Sequence, residues 1–343
     1  MQATTIGLDL AKHVFQIHGV DAGGNVVIRR RLRRGELAKL FASLPPCRIG
    51  MEACSTAHHW ARELTALGHD VRLMPPTYVK PYVKRGKNDA ADAEAICEAV
   101  TRPTMRFVPV KSAEQQSVLM LHRTRDLLIR QRTMLANSLR AHCAECGIVV
   151  AQGMARLAEL LVIIADETDT RIPPLARTCL VVLARQLQDL QLNIEEIERE
   201  LHSWHRGNAT SRRLETIPGI GPITASALTV TVSDATLFRS GRHLAAWLGL
   251  VPKQNSSGGK ERLGGISKQG DRYIRRLLIS GAHAVLRYAK QSRPGTPGWA
   301  AGLLQRRPFK LVAVALANKT ARIAWAVLAR GETYRSTPEA VAG

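Results

Sequence analysis

Long apolar runs are missing from this chain. LLVIIA at 160–165 and LVAVALA at 311–317 are among the longest, far short of the roughly 20 residues that a bilayer span needs. The opening MQATTIGLDL carries no basic stretch ahead of an apolar one, so the expectation is a cytoplasmic protein with no secretory leader and no membrane partner. Cysteine is sparse and scattered, at 47, 54, 97, 143, 146 and 179. Only Cys143 and Cys146 form a CxxC, and with no second pair to complete a tetrahedral zinc set, reduced thiols are expected. Acidic residues are also few: 28 Asp and Glu stand against 49 Lys and Arg, for a net charge of +21. That imbalance points to a polyanionic partner. No long repeat or low-complexity tract is evident.

Within those bounds, 343 residues with a 45% apolar fraction can bury two cores. Residues 4–10 and 13–20 read as two tightly joined strands, and 24–31 as a third after the turn signal DAGGN. A short helix follows at 36–43, then a strand near 48–51, a helix over 57–67 and a strand over 69–74. The Ala-rich stretch 89–100 reads as a helix with Asn88 as its N-cap. After Pro109 the pattern becomes helical. Leu183, Leu187, Leu190, Ile194, Ile197 and Leu201 alternate steps of four and three, a heptad seam. Two long helices separated by a loop would pair with each other or with a second subunit. The last region, from about residue 206, is the most basic: positions 251–343 hold 17 Lys or Arg and four Asp or Glu. Helices are expected there over 271–291 and 308–330, separated by the break SRPGTPGW.

Scarce as they are, four acids carry the chemistry. Asp9 (in TTIGLDLAK) and Glu52 (in RIGMEACS) sit at the ends of strand-like runs. Asp89 and Asp92 (in KNDAADAEA) are three residues apart at a helix start, so they face one way. Singly, each aspartate has a plain explanation as a turn residue or a first-turn helix acid. Glu52, which ends a buried run, is the hardest of the four to explain that way. Together they match a nuclease-type centre in which carboxylate oxygens hold one or two Mg²⁺ ions. Three antiparallel strands followed by a helix and further strands fit an RNase H-like mixed sheet, and the acidic spacing selects it over other α/β folds. The basic flank Lys84, Arg85 and Lys87 suits a phosphate-binding edge.

In the second half, IPGIGP at 217–222 reads as the turn of a helix-hairpin-helix unit. Gly219 and Gly221 would let the backbone approach a phosphate, independent of sequence; the alternative is a tight interhelical turn. Between Gly249 and Gly270 lies LVPKQNSSGGKERLGGISKQG, by composition a flexible loop. Beside a metal site, a Gly-flanked serine there suggests attack on a phosphodiester, giving a covalent ester that conserves bond energy for rejoining. Lys260, Arg262, Lys268, Arg272, Arg275 and Arg276 supply the surrounding positive charge.

The segments GLDLAK, MEAC, KNDAADAEAI, ETIPGIGPITASAL and AAWLGLVPKQNSSGGKERLGGISKQGDRYIRRLL, in this order, resemble the DEDD-type transposases of the insertion-sequence-110 family. The resemblance runs over most of the chain. It implies a RuvC-like DEDD domain over 1–109, a helical coiled-coil region over 110–205 and a C-terminal transposase domain over 206–343. It further implies a bacterial, nucleoid-associated recombinase that uses Mg²⁺ and a serine nucleophile. A structured non-coding bridge RNA would pair with donor and target DNA, and the protein would work as a dimer assembling into a tetramer. By motif, Asp9, Glu52, Asp89 and Asp92 become metal ligands. The nucleophile becomes Ser257, before Gly258, with Ser256 one register away. The sequence ACSTAHH after Glu52 departs from the Gly or Thr-Gly element of many relatives, which affects loop shape more than ligation. A hydrolytic Holliday-junction-type endonuclease using the same acids is the alternative. A helix-hairpin-helix binding protein with an inactive sheet domain is a third reading.

Overall fold

The structure, a computed structural model, describes residues 2–84, 88–289 and 298–335. The chain divides into two compact units, one ending at Gln116 and one beginning at Ser117.

The first unit is a five-stranded mixed sheet with helices on both faces. Strands β1 (Thr5–Asp9), β2 (Val14–Val20) and β3 (Val26–Arg33) form an antiparallel meander. Its second turn is organised by Asp21, whose Oδ1 accepts from the N–H groups of Gly23 and Asn25 at 2.9 Å each. After α1 (Leu37–Ser43), strand β4 (Arg48–Glu52) lies parallel to β1. After α2 (Ala57–Ala66), strand β5 (Asp70–Met74) lies parallel to β4, giving the order β3-β2-β1-β4-β5. The short α3 (Pro76–Val79) then leads toward α4 (Asp89–Val100). The expected strands and helices are present, with β3 running two residues beyond its expected end.

Alternation along the strands decides which residues face which layer. Ile6, Leu8, Phe15, Ile17, Ile49 and Met51 are buried on one face, in a core with Leu37 and Phe41 of α1 and Trp60 and Leu64 of α2. The intervening residues therefore face α4. On β1 these are Thr5, Gly7 and Asp9, and on β4 they include Gly50 and Glu52.

The second unit is mostly helical. Helix α5 (Ala113–Glu145) enters it from the first unit, followed by α6 (Met154–Ala165) and α7 (Pro174–Gly207). The segment expected as a loop between two long helices thus contains a helix, because LLVIIA buries its apolar side. Leu157, Leu160 and Ile164 share a core with Ala136, Leu139 and Cys143 of α5 and Leu180 and Leu187 of α7. The heptad seam of α7 is buried at every seventh residue (Leu187, Ile194 and Leu201) within this one chain. Ion pairing of Arg125 with Glu198 at 2.6 Å and a hydrogen bond from Arg132 to Gln191 at 2.7 Å tie α5 to α7. The alternate seam positions Leu183, Leu190 and Ile197 are half-buried.

Helices α8 (Ala209–Glu215), α9 (Pro222–Thr231), α10 (Gly241–Trp247), α11 (Arg272–Ala289), α12 (Gly298–Leu304) and α13 (Phe309–Arg330) complete this unit. By length and composition α13 could cross a membrane. In this fold it is a core helix, with Val312, Ala313, Leu316, Ala317, Ala321 and Ala324 buried in the shared core. A buried polar chain joins three helices. His122 on α5 lies 3.1 Å from the Tyr273 hydroxyl on α11 and 3.1 Å from the Ser226 hydroxyl on α9. Burial, with Arg125 nearby, lowers the His122 pKa to about 4, so the ring is neutral and links both hydroxyls.

Candidate active site

Asp9 and Glu52 end neighbouring parallel strands, one step beyond the paired residues Leu8 and Met51, and both face α4. Asp89 and Asp92 occupy the first turn of α4, whose N-cap Asn88 accepts a hydrogen bond from Ala91 N–H at 2.8 Å. The positive end of that helix offsets part of their repulsion. Carboxylate oxygens of Asp9, Asp89 and Asp92 lie within 4.8 Å of one another, the one such convergence of potential metal ligands among the described residues. Glu52 is not one of the three, but it belongs to the same electrostatic neighbourhood. Burial and the charge of Asp92 raise its pKa. Burial, reinforced by the charges of Asp92, Asp89 and Glu52, pushes Asp9 up to about 6. Hard oxygens held at mutually unfavourable distance are the donor set that a divalent cation neutralises.

Two glycines make this convergence possible. A Cβ added at Gly7 would sit 2.1 Å from the Ala93 carbonyl oxygen and 2.4 Å from the Cys97 nitrogen, both α4 backbone. At Gly50 it would sit 2.7 Å from Val100 Cβ. Helix α4 therefore lies directly on bare strand backbone, which brings its first turn beside Asp9. The sequence reading missed both residues. Their signal is the repeated glycine-x-acid pattern, GLD on β1 and GME on β4, which sets each glycine one pleat before its acid on the same face. Gly7→Ala is expected to force α4 outward, costing about 1–3 kcal/mol and separating the acids. Circular-dichroism melts check the first effect, and Mg²⁺-dependent stabilisation in the same melts checks the second.

Thr56, in the ACSTAHH departure, holds φ 70° as the N-cap of α2, a left-handed conformation that glycine adopts without strain. Lys84 is ion-paired to Glu94 at 2.6 Å. Arg85 and Lys87 lie outside the described residues.

In the second unit the Gly- and Ser-rich segment, expected as a loop, contains a short two-stranded ribbon. Strand β6 (Pro252–Gln254) pairs antiparallel with β7 (Leu263–Ile266). Ser257 and Lys260 close the tip, with Lys260 N–H donating to the Ser257 carbonyl at 3.1 Å. Gly258 and Gly259 between them have φ of 56° and 76°, the positive pair of a type I′ turn. Ser257 is exposed at this tip. The Ser256 hydroxyl instead accepts from Arg262 N–H across the ribbon at 3.3 Å.

The remaining basic and glycine candidates divide by surroundings. Lys260, Arg262, Lys268 and Arg272 are exposed. Arg275, expected at a phosphate, is buried, and its Nη1 donates to the carbonyls of Leu248 and Gln269 at 2.8 and 2.7 Å. It clamps the base of the ribbon, and its charge is spent inside the fold. Arg276 pairs with Asp126 and lies over the Tyr273 ring. Gly219, also expected to admit a phosphate, instead admits α11: a Cβ at Gly281 would lie 1.8 Å from the Gly219 carbonyl oxygen. Gly221 has open space where its Cβ would be and keeps the exposed position.

Comparison with known proteins fits both halves. Residues 6–147 match the DEDD model for IS110 elements, described as "Transposase", and residues 211–295 match "Transposase IS116/IS110/IS902 family". The chain belongs to the IS110 family of insertion-sequence transposases. It is 52% identical to a "Probable family 20 transposase" of Pseudomonas aeruginosa, covering 98% of this chain and 99% of that one. It is 42% identical to the transposases for IS1328 of Yersinia enterocolitica (96% and 98% covered) and IS1111A of Coxiella burnetii (96% and 91%).

Proposed function

We propose that this transposase cuts and rejoins donor and target DNA through a covalent ester on Ser257, at a Mg²⁺ centre held by Asp9, Asp89, Asp92 and Glu52. The observation that carries the reading is the meeting of three carboxylates from two elements within 4.8 Å, with Asp9 pushed up to about 6. A cation bound there would stabilise charge on the attacking and leaving oxygens of a phosphodiester.

The protein's own groups do the rest. The Ser257 Oγ forms a bond to phosphorus and loses its proton, while the bond from phosphorus to a deoxyribose oxygen breaks and that oxygen takes up a proton. The reverse step, from a new strand end, rejoins DNA without ATP. Exposure of Ser257 at the turn of the ribbon supports it over Ser256, whose hydroxyl is held across the ribbon. Lys260, Arg262, Lys268 and Arg272 are suited to hold backbones, leaving sequence choice to pairing with a bridge RNA. In this reading residues 1–109 form the RuvC-like domain, 110–205 the coiled-coil region and 206–343 the transposase domain. Within a dimer or tetramer on the DNA, the acids of one subunit serve the serine of another.

The test is a denaturing gel of end-labelled donor DNA incubated with protein, bridge RNA and Mg²⁺. A protein-linked strand end is expected. Free ends alone would assign the chain to hydrolytic endonucleases, and binding without scission would leave a helix-hairpin-helix binding protein.

A further inference from the structure

Strand β3 reads VVIRRRLR, and it is the edge of the five-stranded sheet. Its register fixes where each arginine points. Leu32, paired with Phe15, and Ile28, paired with Gly19, pack into the core shared with α1 and α2. Arg29, Arg31 and Arg33, paired with His18, Gln16 and Val14, therefore stand on the other face, the one that carries Asp9 and Glu52. All three are exposed, and none takes part in an ion pair among the described residues. Asp9 is opposite Gln16, and Gln16 is opposite Arg31, so Arg31 lies in the same transverse row as the acidic centre. Two strand spacings separate them, about 10 Å.

We propose that Arg29, Arg31 and Arg33 form a phosphate-binding row that holds the DNA strand as it leaves the acidic centre. The inference rests on the phosphodiester chemistry proposed for those acids. Charge complementarity selects the occupant: three guanidinium groups on one exposed strand match consecutive backbone phosphates. A cluster of carboxylates repels the same backbone, so a cationic row nearby is needed to keep it in place. Position selects DNA, because the strand being cut must pass the acids, and this row lies on the face where they converge. Guarding an edge strand against self-association also uses charge, but it has no need of three arginines on one face. Arg34 shows a different use of the same residue type, with its guanidinium over the rings of Phe15 and Trp60 at 5.6 and 5.5 Å.

The experiment measures binding of full-length protein to a random-sequence duplex DNA across a salt series. Replacing all three residues, R29Q/R31Q/R33Q, is expected to reduce the slope of log affinity against log salt by about 2 to 3, and Arg31→Gln alone by about 1. Arg31→Lys should restore most of the single loss, which separates lost charge from a disturbed fold. Asp9→Asn should keep the wild-type slope. An unchanged slope in the triple variant overturns the proposal, as does a reduced slope with an RNA duplex alongside an unchanged one with DNA. Self-association of the triple variant with the DNA slope intact would likewise overturn it, in favour of edge protection. Failure of the wild-type protein to cleave under any guide would remove the proposed reaction yet leave the slopes readable.

Discussion

Asp9→Asn is expected to abolish strand cleavage and recombination, with a rate loss on the order of 10³-fold or more, while DNA binding persists. The size follows from the role: a cation held by these oxygens supplies several kcal/mol of charge stabilisation, and each 1.4 kcal/mol or so is a factor of ten. The same substitution should change stability in the opposite direction. Because Asp9 titrates near 6 in the fold and near 4 in an unfolded chain, its proton is held only by the folded state between those pH values. Metal-free protein should therefore lose stability as pH rises from about 4 to 6 and then level off. Glu52, raised in the same direction, adds to the slope. Melts with EDTA should show that decline, Mg²⁺ at pH 8 should reverse it, and Asn at position 9 should flatten both responses. A full-rate Asp9→Asn enzyme, or melts indifferent to Mg²⁺, would remove the metal centre from the reading.

Ser257→Ala should eliminate the protein-linked DNA end and reduce recombination by on the order of 10⁶-fold, the scale seen when a nucleophile is deleted. Its melting temperature and DNA affinity should stay at wild-type values, because the side chain is exposed at a turn whose geometry depends on the following glycines. Ser256→Ala is the paired measurement. Losing one cross-ribbon contact from Arg262 should reduce the rate modestly and keep the covalent product. If the adduct survives in Ser257→Ala and vanishes in Ser256→Ala, the nucleophile is the earlier serine.

The sheet was legible in the sequence because short strand-like runs punctuated by turn signals mark β1 to β5, and the acidic spacing selects the fold. Asp9 and Glu52 were legible for the same reason, as polar ends of buried runs. Less visible was what brings the two strand acids and the helix acids together. That depends on missing side chains at Gly7 and Gly50, and a glycine within a strand reads at first as weakness rather than as a seat for a helix. The fates of Arg275 and Gly219 were hidden too. Composition assigns a cation or a glycine to a phosphate equally well whether or not a carbonyl or a second glycine from α11 already occupies it. The ribbon escaped notice because its strands are only three and four residues long, too short to show a period.

The glycine-x-acid pairs bear on how copies of such a mobile element fall silent. Mutations that place any side chain at Gly7 would leave all four carboxylates in the gene yet hold them apart in the protein. A survey that scores a copy as intact by its acids and its serine would count such a gene among the living. If the carboxylates hold the metal as proposed, the bare backbone beneath α4 is as much a requirement for movement as they are.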